Sequence, residues 1–182
     1  HTKRFIRCFW ALDRDLANAR HYPSIGWVES YSEYLDDIKI WWHDKISAQW
    51  LELRYTIMEL LQKEQKLLQV VKLVGPEVLP QIQRLILETC YIFKNSFLQQ
   101  SAFDKVDAYS SAKKQFLMLK AIITFHHAGE LLIKKGIAIS EIRALPVCQE
   151  LMRMKTDYTE DDLDRLEKMP ERVDKALKEI DF

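Results

Sequence analysis

Between residues 51 and 74 neither glycine nor proline interrupts the chain. Ile57, Leu60, Leu61, Leu67, Leu68, Val71 and Val74 recur there at three- and four-residue spacing. That spacing lays them along one face of a helix and leaves Lys63, Glu64 and Lys66 for solvent. Gly75-Pro76 ends the run, the glycine as a left-handed cap and the proline as a residue that cannot continue a helix. Pro80 suits the start of a second helix, whose apolar face reads Ile82, Leu85, Ile86, Thr89 and Phe93. Residues 51–96 are therefore predicted to form a helical hairpin. Its tip comprises Val74, Gly75, Pro76, Glu77, Val78 and Leu79, with Val78 and Leu79 exposed beside Glu77. A helix of about 24 residues spans roughly 36 Å.

The rest of the chain extends this pattern. Residues 30–46 read as a helix with Trp41 and Trp42 near its end. All five tryptophans lie in the first fifty residues, a heavy aromatic anchor for this end. Residues 97–111 are irregular. A third long helix, 112–135, carries Phe116, Leu119, Ile123 and Leu131 on its apolar side, and Gly136 closes it. Residues 139–154 read as a short helix interrupted near Pro146. Thr159 and Asp162 have N-cap spacing, and Pro170 opens a last mixed-charge helix. Residues 2–11 alternate like a strand, with no later strand expected to pair with it, and a lone strand is unstable. The predicted fold is mostly α, a helical bundle-like domain over residues 13–182. Residues 1–12 read as a strand left over from a preceding domain.

Four glycines and five prolines in 182 residues are too few turn formers for an all-β fold. Lys plus Arg equals Asp plus Glu at 27 each, so the overall balance predicts no attraction to nucleic acid or a membrane surface. Apolar stretches such as Ala121-Ile122-Ile123 fall short of the roughly 20 residues a membrane span needs, and residues 1–20 lack the apolar core of a signal peptide. Cys8, Cys90 and Cys148 are odd in number and far apart. They read as buried free thiols in a reducing, cytoplasmic setting.

Catalytic chemistry is missing from the sequence. Gly26, Gly75, Gly129 and Gly136 lack the spacing and following Lys-Ser/Thr of a phosphate-cradling loop. Adjacent histidines, His126-His127, diverge on a helix and suit a metal poorly, as does His43-Asp44. No nucleophile elbow is present. No catalytic residue and no metal ligand is assigned.

Two segments do suggest a ligand. Tyr22-Pro23 holds a ring on a stiff turn, since proline fixes its own φ and restrains its predecessor. Such a ring can stack on a flat ligand, or together with Trp27 can seal the end of a core. Gln99-Gln100-Ser101-Ala102-Phe103 offers carboxamides that can bond a purine and a ring that can stack on it. A plain loop is the other reading.

The strings Phe9-Trp10-Ala11-Leu12-Asp13, Arg20-His21-Tyr22-Pro23-Ser24-Ile25 and Ser30-Tyr31-Ser32-x-Tyr34, followed by Phe97-Leu98-Gln99-Gln100-Ser101-Ala102-Phe103, resemble the C-terminal region of the catalytic A subunit of archaeal/vacuolar-type rotary ATPases. The resemblance implies a pocket for the adenine of ATP or ADP. Tyr22 and Pro23 would form one wall and Gln100, Ala102 and Phe103 the other, with Gln99 facing either way. Tyr22 departs from the Phe often found at that position. The phosphate and magnesium sites would lie in a nucleotide-binding domain upstream of His1, so this segment alone should neither hydrolyse ATP nor hold nucleotide. The hairpin tip would face the central stalk rotor. The other implied partners are the upstream domain and the B subunits of the ring, in a cytoplasmic, peripheral part of a membrane-bound ion-translocating machine. Within the family the noncatalytic B subunit is the rival reading; its loop usually has Gly after the Gln, where this chain has Gln-Ser-Ala-Phe, which favours the catalytic A subunit. Outside the family, the alternatives are a stand-alone helical interaction module and a small helical enzyme using the histidines.

Overall fold

The computed structural model describes residues 6–181, and residues 2–5 of the expected strand lie outside them. That strand finds a partner within the chain. β1 (Cys8–Leu12) pairs antiparallel with β2 (Ile25–Ser32), Cys8 opposite Ser32, Phe9 opposite Tyr31, Ala11 opposite Gly26 and Leu12 opposite Ile25. The register shifts between Phe9 and Ala11. Ile25, Trp27, Val28 and Tyr31 are residues that favour a pleated, half-buried surface. The helix expected from residue 30 accordingly begins later, as α2 (Leu35–Lys45). Between the strands, α1 (Arg14–Asn18) is a single turn capped by Asp13, whose carboxylate accepts from the Asp15 and Leu16 N–H groups at 2.8 and 2.9 Å.

The hairpin is formed by α3 (Trp50–Val74) and α4 (Gln81–Phe93). Gly75 turns the chain at φ 83°, its N–H on the Val71 carbonyl at 2.9 Å. Residues Pro76–Val78 make one 3-10 turn. Three expectations need correction here. Leu79 is buried, not exposed, because it turns inward as the chain enters α4, which leaves Val78 outside. Glu64 is buried as well, because Lys94 reaches it in an ion pair of 2.6 Å. The apolar stripe does not stay covered either: Leu68 and Val74, with Val70 and Leu73 beside them, are exposed.

The core centres on α5 (Ala112–Lys134), whose N-cap Ser111 accepts from the Lys114 N–H at 3.1 Å. Phe116, Ile122, Ile123 and Phe125 are buried on it. At Gly129 the helix comes so close to α4 that a Cβ would sit 2.9 Å from Leu85 Cδ1. Leu131, expected on the apolar side, is exposed: the buried face passes through Ala128, Gly129 and Leu132 instead. Contrary to the expectation from its short apolar runs, this helix is long and apolar enough to cross a membrane by composition, but 67% of its most apolar window is packed inside the fold. That makes it a core helix.

The expected interruption at Pro146 separates α6 (Ile139–Arg143) from α7 (Pro146–Asp157), with the proline in the first turn of α7. Thr159 and Asp162 form a capping box, the Thr159 N–H and hydroxyl both donating to the Asp162 carboxylate at 3.1 and 2.8 Å. They precede α8 (Leu163–Glu167), and α9 (Met169–Lys178) then lays Met169, Val173 and Leu177 into the core. Cys90 and Cys148 are buried free thiols whose ionisation burial suppresses, that of Cys148 pushed up to about 12. Cys8 is only half-buried.

Candidate functional site

The end of α4 sets the site. Its last turn widens into a π-helical turn, Lys94–Leu98, in which the Gln99 N–H reaches back to the Lys94 carbonyl at 2.8 Å. Such widened turns concentrate at functional sites. Here the turn releases the chain into Gln99 and Gln100.

His21 brings the aromatic turn to the same place. Arg20 adopts a left-handed backbone, φ 57°, and turns the chain into His21. The buried His21 ring packs 5.4 Å from the Trp27 ring and donates from Nε2 to the Lys94 carbonyl at 2.9 Å. Tyr22 follows, joined to Pro23 by a cis peptide bond. The Tyr22 carbonyl accepts from the Gln100 N–H at 2.8 Å, so the two segments are hydrogen-bonded across 78 positions of sequence.

Between them lies a hollow of about 470 Å³, lined by Tyr22, Gln99, Gln100, Ala102 and Phe103 among others. Five of the six expected base-facing residues thus surround one space. Pro23 is exposed beside it and is not part of the lining. The Phe103 side chain is fully exposed and the Tyr22 ring about half, so neither seals a core. Gln100 is partly committed elsewhere: its side-chain amide donates to the Asp107 carbonyl at 2.8 Å. The two rings, with the exposed Arg20 side chain, are therefore the freest groups around the hollow.

A charged group underlies the loop. Lys155 of α7 donates to the Gln99 carbonyl at 2.7 Å and lies 3.5 Å from the Asp107 carboxylate. Asp107 accepts from the Ser101 N–H at 2.7 Å. Asp104 folds the loop back on itself by accepting from the Val106 and Asp107 N–H groups, both at 2.8 Å, and those bonds hold its carboxyl below the usual range. Lys114 of α5 is fully enclosed and donates to the Lys155 carbonyl at 2.9 Å. Burial lowers its pKa, against the pull of Glu160, Asp107 and Asp104.

Sequence reasoning misses His21, Asp107, Lys114 and Lys155 as site-builders. Lys155 is findable. It falls one helical turn after Leu151, on the apolar face of α7, where a lysine needs a buried partner. Among the described residues no group of three or more His, Cys, Asp or Glu is arranged to hold a metal.

A small antiparallel β-ribbon, a protruding helical hairpin and a helical core with one loop hollow define a mostly α accessory domain. Residues 39–143 match the family described as the C-terminal domain of V and A type ATP synthase, and the chain belongs to that family. It is 45% identical over 174 residues, 96% of its length, to the V-type ATP synthase alpha chain of Halothermothrix orenii. It is 42% identical over 180 residues, 99% of its length, to the A subunit of the A-type ATP synthase from Methanopyrus kandleri. To the corresponding A subunit from Hyperthermus butylicus it is 45% identical over 182 residues, again 99% of its length. In each case the match covers 30% of the relative, so the chain spans under a third of these proteins. It is the C-terminal domain of a V/A-type ATP synthase A subunit.

Proposed function

We propose that this domain forms the base-facing side of the ATP pocket in its parent protein and carries the opening and closing of that pocket to the central stalk. The single observation that supports this reading is the bond from Gln100 to Tyr22. It sets two segments expected to face adenine around one hollow, with two exposed rings and nothing to stack on them among the described residues. The residues present fit a flat base. Of the two cations in the lining, Lys155 is held by Gln99 and Asp107 and Arg20 is exposed, and no glycine-rich phosphate-cradling loop accompanies them. In this reading magnesium and the phosphates belong to a nucleotide-binding domain of the same subunit, which supplies the bond-breaking chemistry. Tyr22 and Phe103 bind and orient the base. The α3–α4 hairpin, with exposed Leu73, Val74 and Val78 at its end, is the reach toward the rotor. B subunits would flank the domain on the cytoplasmic side of a membrane-bound complex moving protons or sodium.

Stacking on one base contributes roughly 1–3 kcal/mol, whereas a Kd of about 1 mM already requires about −4 kcal/mol. Calorimetry on the isolated domain should therefore detect no ATP binding tighter than about 1 mM. In the full-length subunit Phe103→Ala should raise the KM for ATP roughly fivefold or more and leave melting unchanged, since the ring is fully exposed. Micromolar binding by the isolated domain, or an unaltered KM, would refute the reading.

A further inference from the structure

We infer that Lys155 and Asp107 are positioning residues that hold the Gln99–Phe103 wall at its distance from Tyr22, and that the Lys155 ammonium is not a phosphate ligand. The inference rests on the base-facing reading above and adds residues to it. Lysine in the lining of a nucleotide pocket invites assignment to phosphate, and the geometry points elsewhere. The Lys155 side chain is only 15% exposed. Its ammonium has three protons. One lies on the Gln99 carbonyl at 2.7 Å, and the Asp107 carboxylate at 3.5 Å holds the charge. Asp107, only 8% exposed, turns the same carboxylate oxygen toward the Ser101 N–H at 2.7 Å.

The loop is thereby gripped at successive positions. Gln99 is held through its carbonyl, Gln100 through its side chain by the Asp107 carbonyl and through its N–H by Tyr22, and Ser101 through its N–H. Ala102 and Phe103 project beyond the last grip and are exposed. Lys114 then ties the Lys155 backbone to α5, so the wall is referenced to the core helix and not to solvent. A loop fixed in this way loses less freedom when a base stacks on it, which is how preorganisation raises affinity. Lys155 and Asp107 touch no nucleotide in this scheme.

The test uses the full-length subunit in its assembled ring, with Lys155→Met, Lys155→Arg and Asp107→Asn. The readouts are the KM and kcat for ATP and the inhibition constant of inorganic tripolyphosphate, which has no base. Lys155→Met should raise the KM roughly fivefold to tenfold, the scale of one or two lost hydrogen bonds, with kcat held, as expected when uniform binding is lost. Tripolyphosphate inhibition should not change, and Lys155→Arg should recover most of the KM. Weakening of tripolyphosphate by the same factor as ATP would make Lys155 a phosphate ligand and overturn the inference. A shifted melting temperature with an unmoved KM would reduce the pair to scaffold and overturn it equally. If Lys155→Met does not assemble, Asp107→Asn carries the same measurements, since it removes the counter-charge and keeps an acceptor for Ser101. Phe103→Ala is run alongside. If it raises the KM while the clamp variants do not, only the clamp falls; if it too leaves the KM alone, the base-facing reading falls and the clamp with it.

Discussion

Helices α3 and α5 are close in length, 25 and 23 residues, and opposite in coverage. α5 buries thirteen residues along its whole length. α3 buries four, Ile57, Leu60, Leu61 and Glu64, none of them in its outer ten residues. Both show aliphatic residues at helical spacing. The difference is the neighbourhood: α5 runs between α3, α4, α7 and α9, whereas beyond Glu64 one side of α3 projects past the elements that pack on it. Helical spacing therefore shows which face is apolar, and only a partner decides whether that face is core. On α5 the partner is this chain. On the outer part of α3 it is the surface of an arm.

The comparison breaks most visibly on truncation of α5. Phe125 is fully buried in the helix centre, and Phe125→Ala should lower stability to unfolding by about 3–5 kcal/mol, through lost apolar transfer and the cavity left behind. Urea titration of the domain measures it. A loss below about 1 kcal/mol would mean that α5 is not the centre of the core.

A second difference is electrostatic. His126 on α5 is buried, with Nδ1 2.9 Å from the Thr89 hydroxyl and Nε2 3.8 Å from Glu130. Burial pushes its pKa down from 6.5 to about 4; Glu130 opposes the shift, and His127 and Lys63 add to it. The folded state thus keeps the ring neutral, while the unfolded state takes up a proton as the pH drops below 6.5. Stability conferred by the neutral ring is present above pH 6.5 and is lost progressively as the pH falls toward 4. The loss amounts to about 3 kcal/mol, from 1.36 kcal/mol per pH unit. His126→Gln keeps a polar partner for Thr89 and removes the titration. Denaturation at pH 7, 5.5 and 4 should show the variant losing less stability on acidification than the parent. Parallel losses would show that another group carries the acid sensitivity.

How much of this is legible in the sequence follows from the same distinction. The α3–α4 hairpin, its Gly75 turn, the long α5 and the break at Pro146 rest on local spacing and turn chemistry, and each is readable. Leu131 is misplaced because a face assigned by period alone is uncertain by one position, a full 100° around a helix, and Leu79 because the extended residue after the 3-10 turn points inward, which a turn read from sequence does not show. The β-ribbon is half-readable: β1 alternates visibly, but Ser30-Tyr31-Ser32 reads as helix because a pairing between separated strands is not encoded locally. At the site, Tyr22, Gln99, Gln100, Ala102 and Phe103 come from resemblance, and their convergence on one hollow is a tertiary fact. Glu64, Lys114 and Lys155 share one overlooked signal. Each is a charge within an apolar register, and each is buried or nearly so against a named partner.

The smallest effect on folding is expected at the arm, and it sharpens the comparison most. Leu73 is 85% exposed and Val78 66%. Their replacement by serine removes little surface that folding had covered, so Leu73→Ser with Val78→Ser should change stability by no more than about 0.5 kcal/mol. If the arm reaches a rotor, the same pair should act in the assembled machine instead. Apolar contact contributes about 25 cal/mol per Å² removed from water, and two aliphatic side chains at one contact are enough to weaken it severalfold. ATP-driven ion pumping should then fall more than ATP hydrolysis, since grip on the stalk is lost and bond cleavage is not. Measured together in membranes, unchanged pumping and hydrolysis would make the tip an ordinary interhelical turn. A stability loss above about 1 kcal/mol would show instead that the outer part of α3 is held by this chain after all, and that the contrast with α5 is one of degree.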